Sequence, residues 1–243
     1  MTQSSAFAFS IVVLLEHAPE ASLRCLTALA EMSEGYEVVL VVEADDPRYR
    51  PLLDALGGDL QIVDRAGASY AEACRRGAQR TQGDVIVWLR DDVEVTPGWQ
   101  DELQGALDEG VAGVCPMLVS PRGSVRDAGA ILTQDPTAGM MRAQPRGQGL
   151  SPDDHTLSEP TSLMVPCLAA FAVRASALYE VGELDGQLPA RWAFADLACR
   201  LAERGQSIQF VPRVRMRQKE EVNGFAPEAR FSARWMSRAT IAA

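Results

Sequence analysis

Asp91 and Asp92 are the residues whose types and setting most directly suggest chemistry. They follow the apolar run Val85-Ile86-Val87-Trp88-Leu89, with Gly83-Asp84 before it and Arg90 between the run and the acids. A short apolar run bounded in this way reads as a fully buried strand. In open α/β sheets, ligands bind outside the carboxyl ends of the strands. Two carboxylates delivered there suit a hard divalent cation, which takes oxygen ligands and commonly holds nucleotide phosphates. Successive strand residues face opposite sides of a sheet, so Asp91 and Asp92 are expected to do different jobs. Arg90 sets a positive charge beside them.

The elements that must carry these acids alternate along the first half. Phe7 to Leu15 reads as a strand. Pro19-Glu20-Ala21 opens a helix with Leu23, Leu26, Leu29 and Met32 at helical spacing. Tyr36 to Val42 is a second strand, Tyr49 to Leu56 a short helix and Leu60 to Val63 a third strand. A helix over Ser69 to Arg80 leads into the strand Val85 to Leu89. Pro97-Gly98-Trp99 starts another helix, and Val111 to Val119 is again strand-like. This order predicts right-handed βαβ units and a mainly parallel sheet. Beyond it, Gln134 to Pro160 is rich in Pro, Gly, Gln and Asp and reads as a lid loop. Leu163 to Val173 is expected as a central strand, Ala175 to Val181 and Ala193 to Arg204 as helices, and Ile208 to Val211 as the last strand.

Composition narrows the class. The 243 residues are 47% hydrophobic, enough for one large α/β domain or two small ones. A net charge of -10 argues against generic nucleic-acid binding. The charge is uneven, because Arg200 to Ala243 carries +5 and the remainder -15. Lys219 is the only lysine, and arginine suits two-pronged phosphate contacts. Five widely spaced cysteines without a C-x-x-C pair argue for a reducing, cytoplasmic compartment. The apolar decade Ala6 to Leu15 falls short of the roughly 20 residues of a membrane span. It reads as a buried strand, with no transmembrane segment expected.

From Phe9 to Val214 these pieces resemble family 2 glycosyltransferases of the GT-A fold, bacterial type. The resemblance rests on Ser10-Ile11-Val12-Val13 with Leu23-Arg24-Cys25-Leu26, on Glu37 to Glu43, and on Ala71 to Gly77. It continues through Gly83-Asp84 to Asp92, Pro97-Gly98-Trp99, and Ser124-Val125-Arg126-Asp127-Ala128-Gly129. Val181 to Asp185 and Asp196 to Leu201 resemble the acceptor-side segment. The resemblance implies one α/β domain over 1–214 with a Rossmann-like, mainly parallel sheet. Its nucleotide-binding half would be 1–119 and its acceptor half 120–214, with 134–160 as lid and 215–243 as a basic tail. It implies inverting transfer of a sugar from a nucleotide-diphosphate donor, UDP-type favoured, to an acceptor hydroxyl, with Mn2+ or Mg2+. Asp92 matches the last acid of the family's Asp-x-Asp-type motif and is the implied metal ligand, which leaves Asp91 nearer the nucleoside or sugar. Glu43 is the candidate for base or ribose recognition, with Asp45 and Asp46 as alternatives in the same turn. Asp64 follows the third strand, and Gly67, Ser69 and Tyr70 fall where the next nucleotide loop runs.

Four positions depart from the family pattern. Arg90 stands where Asp or Asn is usual, placed to pair with Asp92 or to contact the diphosphate. Leu14-Leu15-Glu16-His17 replaces a Pro-x-Tyr-Asn-like loop. Ala193 and Phe194 replace the acid pair that carries the general base. Asp196 then remains as candidate base, or as one end of an i,i+4 ion pair with Arg200. Arg215 to Glu220 lacks the metal-binding His of many members. The two histidines, His17 and His155, read as surface residues. These departures support an alternative reading, a GT-A-like binding or partner subunit without turnover, homo-oligomers included. A nucleotidyltransferase would call for a basic, glycine-rich loop after the first strand, which Glu16-His17-Ala18-Pro19 is not. In the tail, Phe225, Phe231 and Trp235 alternate with Arg230, Arg234 and Arg238. They suit an anionic acceptor, a partner, a membrane surface, or simply a packed helix.

Overall fold

The computed structural model describes residues 8–56, 60–219 and 225–238. Its first half runs β1 (Phe9–Leu14), α1 (Pro19–Met32), β2 (Tyr36–Val42), α2 (Arg50–Leu56), β3 (Gln61–Asp64), α3 (Tyr70–Ala78) and β4 (Val85–Arg90). Then come β5 (Val93–Glu94), α4 (Trp99–Ala106), β6 (Val111–Val119) and β7 (Val125–Asp127). The hairpin β8 (Ala130–Gln134) and β9 (Met141–Pro145) follows, and then β10 (Thr161–Ser162), β11 (Ala170–Arg174), α5 (Ala175–Val181), α6 (Ala190–Ala202), β12 (Ser207–Gln218) and α7 (Ala229–Trp235). The central sheet has the order β10-β12-β6-β11-β4-β1-β2-β3, with β5 on β12 and β7 on β6. Strands β3, β2, β1 and β4 are mutually parallel, as are β6 and β12. β11 enters antiparallel between β4 and β6.

Strict alternation on the central strands sorts side chains onto two faces. Ile11 and Val13 of β1 join Leu26, Leu29, Tyr49 and Trp99 in one core, beneath α1, α2 and α4. Val12 and Leu14 join Cys74, Trp88, Phe194 and Trp235 in the other, beneath α3, α6 and α7. On α1 the buried stripe is Ala21, Ser22, Cys25, Leu26, Ala28 and Leu29, while Leu23 is 52% exposed. A repeated three-residue step slips about 60° per step around a helix of 3.6 residues per turn. Leu23, Leu26, Leu29 and Met32 therefore spread over half the helix surface rather than forming one stripe. α3 lies close on the sheet: a Cβ added at Gly77 would come within 2.3 Å of Val12 Cγ1 and 2.9 Å of Val41 Cγ2.

The second half is more ordered than its composition suggests. The expected lid contains most of a β-hairpin and a 3-10 turn at His155–Leu157, and Met141, Ala143 and Leu157 are core residues. The expected strand Leu163 to Val173 is confined to β11, because Leu163 to Ala169 crosses from β10 toward β4. β12 continues through Val214 to Gln218, so the sheet holds the start of the expected tail. α7 packs on α6 through Phe231 and Trp192, whose ring centroids are 4.7 Å apart. All five cysteines are free and buried. Among the described residues, no helix is long and apolar enough to cross a membrane.

Candidate functional site

The end of β4 separates its acids as alternation requires. Asp91 turns to the α1 face and is 0% exposed. Its Oδ2 accepts the Glu16 and His17 backbone N–H groups, each at 3.2 Å, and the Ser22 hydroxyl at 2.6 Å. Its Oδ1 lies 2.6 Å from His17 Nδ1. The expectation for Asp91 is thus revised: its carboxylate is consumed in folding the β1–α1 loop and faces no open site. His17 is revised with it, from surface residue to anchor, whereas His155 is exposed as expected. A fully buried carboxylate needs donors on both oxygens, and the β1–α1 loop and α1 supply them.

This contact makes stability depend on pH. The Asp91 hydrogen bond raises the His17 pKa; burial opposes it, the Asp91 and Asp92 charges add to it, and Arg90 subtracts. A raised folded pKa means that the folded state holds the proton more tightly. The contribution is therefore complete below the unfolded value of about 6.5 and is lost as pH rises through the folded value. Urea unfolding should show the stability gap between wild type and His17→Ala widest in mildly acidic buffer and shrinking towards alkaline pH. A gap independent of pH would disprove the charged contact.

On the opposite face Arg90 and Asp92 meet. Arg90 Nε lies 2.6 Å from Asp92 Oδ1, and Nη2 lies 2.7 Å from Oδ2, a two-pronged ion pair with both side chains nearly buried. Burial weighs most heavily against the guanidinium charge, but the Asp92 hydrogen bonds and charge outweigh it and the Arg90 pKa is raised. Gln218, at the end of β12, brings its amide Nε2 to 3.5 Å from Asp92 Oδ2. Gln218 escaped sequence reasoning, although its signal was present. Arg213, Arg215 and Arg217 alternate with Val214, Met216 and Gln218, and the structure buries the second set. A cleft of about 570 Å3 opens beside Asp92 and Gln218, and Arg24, Glu94, Arg217 and Lys219 line it.

The ends of β2 and β3 bring other expected residues together. Glu43 accepts the Gly67 N–H on both oxygens at 3.1–3.2 Å. Asp64 accepts the Ala44 and Ala66 N–H groups at 3.1 and 3.0 Å. Ala66 and Gly67 both have positive φ, 47° and 67°, which closes this turn and suits glycine at 67. Arg65, not anticipated, joins the loops: Nη1 is 2.6 Å from Glu16, and Nε is 3.7 Å from Glu43. Asp45 is exposed on the same turn, while Asp46 pairs with Arg48. Ser69 caps α3 by accepting the Glu72 N–H, and its hydroxyl donates to the Gly186 carbonyl. Tyr70 donates to the Leu168 carbonyl at 3.3 Å.

Asp196 stands apart from this row. Its Oδ2 accepts from Arg200 at 2.9 Å, and its Oδ1 from Arg234 at 2.7 Å and Trp235 Nε1 at 2.8 Å. At 1% exposure it fastens α7 to α6. Phe194 sits against Trp88 and Phe171, with ring centroids 5.4 and 5.5 Å away. A second unanticipated pair lies nearby. Arg191 Nη2 is 3.0 Å from Asp127, both fully buried, with the guanidinium 4.0 Å from the Phe225 ring.

A parallel β3-β2-β1-β4 sheet with polar strand ends, continued by antiparallel β11 and the β6–β12 pair, is the GT-A glycosyltransferase fold. GalNAc-T7, crystallised with UDP, GalNAc and Mn2+, superposes with a TM-score of 0.68 at 19% identity, over 92% of this chain and 46% of its own. The mannosyltransferase PcManGT from Pyrobaculum calidifontis, in complex with GDP-Man and Mn2+, gives 0.61 at 15% identity, over 92% and 59%. TarS 1-349 of S. aureus, in complex with UDP-GlcNAc, gives 0.60 at 9% identity, over 90% and 60%. The chain thus spans about half to three-fifths of these proteins. The chain belongs to glycosyl transferase family 2, whose model matches residues 10–181. No curated protein sequence matches it.

The donor set at Asp92 does not fit a divalent metal. Both Asp92 oxygens are held by Arg90, and Gln218 presents an amide N–H to Asp92 rather than a carboxylate or imidazole. Among the described residues no group of three His, Cys, Asp or Glu side chains could hold a metal ion. At a separation of about 4 Å and an effective dielectric of about 20, a guanidinium and a divalent ion repel by roughly 8 kcal/mol. That repulsion opposes any cation drawn to the carboxylate that Arg90 already holds.

Proposed function

We propose that this chain transfers a sugar from a nucleotide-diphosphate sugar, UDP-type favoured, to an acceptor hydroxyl with inversion at the anomeric carbon. The observation that carries this reading is the gathering of Glu43, Asp64, Gly67 and Arg90 at the carboxyl edge of four parallel strands, in a family 2 chain. That edge is where α/β sheets bind nucleotides. Glu43 and the Asp64 turn offer acceptors to the base and ribose hydroxyls. Arg90 stands at the strand end where a leaving diphosphate develops charge, and a guanidinium stabilises that charge by paired N–H contacts. Asp91 and His17 hold the β1–α1 loop that forms one wall.

One observation favours a second reading, a binding or partner subunit without turnover. Ala193 and Phe194, which fall at the family's acid pair when the segment is read without gaps, are core side chains at 0% and 1% exposure. Calorimetric titration with UDP, GDP and dTDP, followed by donor hydrolysis and an acceptor panel, separates the two. Saturable binding with hydrolysis or transfer is the expected result. Binding with neither across the panel favours the partner reading, and no binding of any nucleotide overturns the proposal.

A further inference from the structure

We infer that Arg90 takes the place of a divalent metal in this chain, and that the nucleotide diphosphate binds here without one. The inference rests on the nucleotide-sugar reading and concerns the same strand end. A metal ligated by Asp92 would have to lie about 2.0–2.6 Å from a carboxylate oxygen. Arg90 Nε and Nη2 already stand 2.6 and 2.7 Å from the two Asp92 oxygens. The pair comes from one tight turn, two residues apart, and is nearly buried, so it is a built feature of the fold rather than a drifting surface contact. Arg90 is also fixed from behind, since its backbone N–H donates to the Ala169 carbonyl on the incoming antiparallel segment.

The remaining chemistry matches. Arg90 spends two of its three guanidinium nitrogens on Asp92, which leaves Nη1 outside that pair. A guanidinium presents five N–H donors in a fixed fork and is charged at every working pH. It can hold Asp92 and a phosphate oxygen together, as a metal does, without being lost to a chelator. Gln218 completes the substitution. An imidazole or carboxylate there would favour a cation, whereas its amide Nε2 donates towards Asp92 and supports the anion that Arg90 already neutralises. The adjoining cleft supplies further positive charge through exposed Arg217 and Lys219.

The test is calorimetric titration of the wild-type protein with UDP and with GDP, in EDTA and in Mn2+. Free Mn2+ is measured in parallel by electron paramagnetic resonance in titrations of the protein alone. The expected result is nucleotide affinity that differs less than about tenfold between EDTA and Mn2+, with no saturable Mn2+ site. Arg90→Ala should weaken UDP binding by about tenfold or more in both buffers. Arg90→Asp should make whatever binding remains dependent on Mn2+. Circular dichroism checks each variant, and if Arg90→Ala fails to fold, the two wild-type measurements still decide. Affinity that rises more than about tenfold with Mn2+, or a saturable Mn2+ site, overturns this inference and leaves the donor reading intact. Binding of neither nucleotide in either buffer removes the donor reading, and this inference with it.

Discussion

Asp91→Ala is expected to cost about 3–5 kcal/mol of folding stability, the range for removing one partner of a buried charged contact. The cause lies in what would be left behind. The Glu16 and His17 N–H groups, the Ser22 hydroxyl and His17 Nδ1 all converge on this carboxylate. Deleting it strands these donors at the start of α1, where the first N–H groups of a helix already lack partners. In a chain of this size the loss corresponds to a melting point lower by roughly 10 °C. Asp91→Asn keeps the shape and one acceptor, and should fall between. Equilibrium urea unfolding measures both. A loss below about 1 kcal/mol would mean that the β1–α1 loop has other support and that Asp91 is free to serve a ligand.

Asp196→Ala is expected to destabilise by a similar amount, about 3–5 kcal/mol, for a different reason. Arg200, Arg234 and Trp235 Nε1 lose their shared acceptor, and α7 loses its polar attachment to α6. The Asp196 hydrogen bond is the main cause of the raised Arg234 pKa, so removing the acid also leaves that cation half-buried. Limited proteolysis should cut first around residues 229–235, and Asp196→Asn should show the same pattern more weakly. A general base behaves otherwise: its loss lowers kcat by about 10^2–10^4-fold with the fold intact. Stable Asp196→Asn protein with such a kcat loss would restore Asp196 to the chemistry.

The sequence carried the fold because its periodicities are strong where the sheet is buried on both faces. Val85-Ile86-Val87-Trp88-Leu89 reads as an interior strand and forms one, and the β2 and β6 spans match the residues expected from Tyr36 and Val111. Gln134 to Pro160 was harder, since hairpin β8–β9 pairs residues whose sequence shows turn chemistry more clearly than alternation. At the site, alternation separated Asp91 from Asp92 correctly. It could not say which acid would be consumed internally, because that depends on donors 69 to 75 residues away in the chain. The Arg90–Asp92 contact was one of the two roles that the sequence left open for Arg90, and the structure forms that pair. The Arg65–Glu16 link and the Arg191–Asp127 pair were not, because each joins segments that only the tertiary fold brings together.

The attachment of α7 has a consequence for the order in which the molecule forms. Ser232 Oγ accepts the Met141 N–H from 91 residues away, Phe231 covers Trp192, and Trp235 supplies a donor to Asp196. None of these contacts exists until residues 229–235 are available to the rest of the chain. The parallel β6–β12 pairing is likewise remote in sequence, so the half of the core holding α6 closes late. Contacts of such long range fold slowly, and a waiting intermediate exposes apolar surface. For this molecule that surface is the α6 face around Trp192, with the Asp196 carboxylate two donors short. A chain without residues 229–235 leaves that face uncovered. Seven residues of helix thus decide when that face is shielded from water.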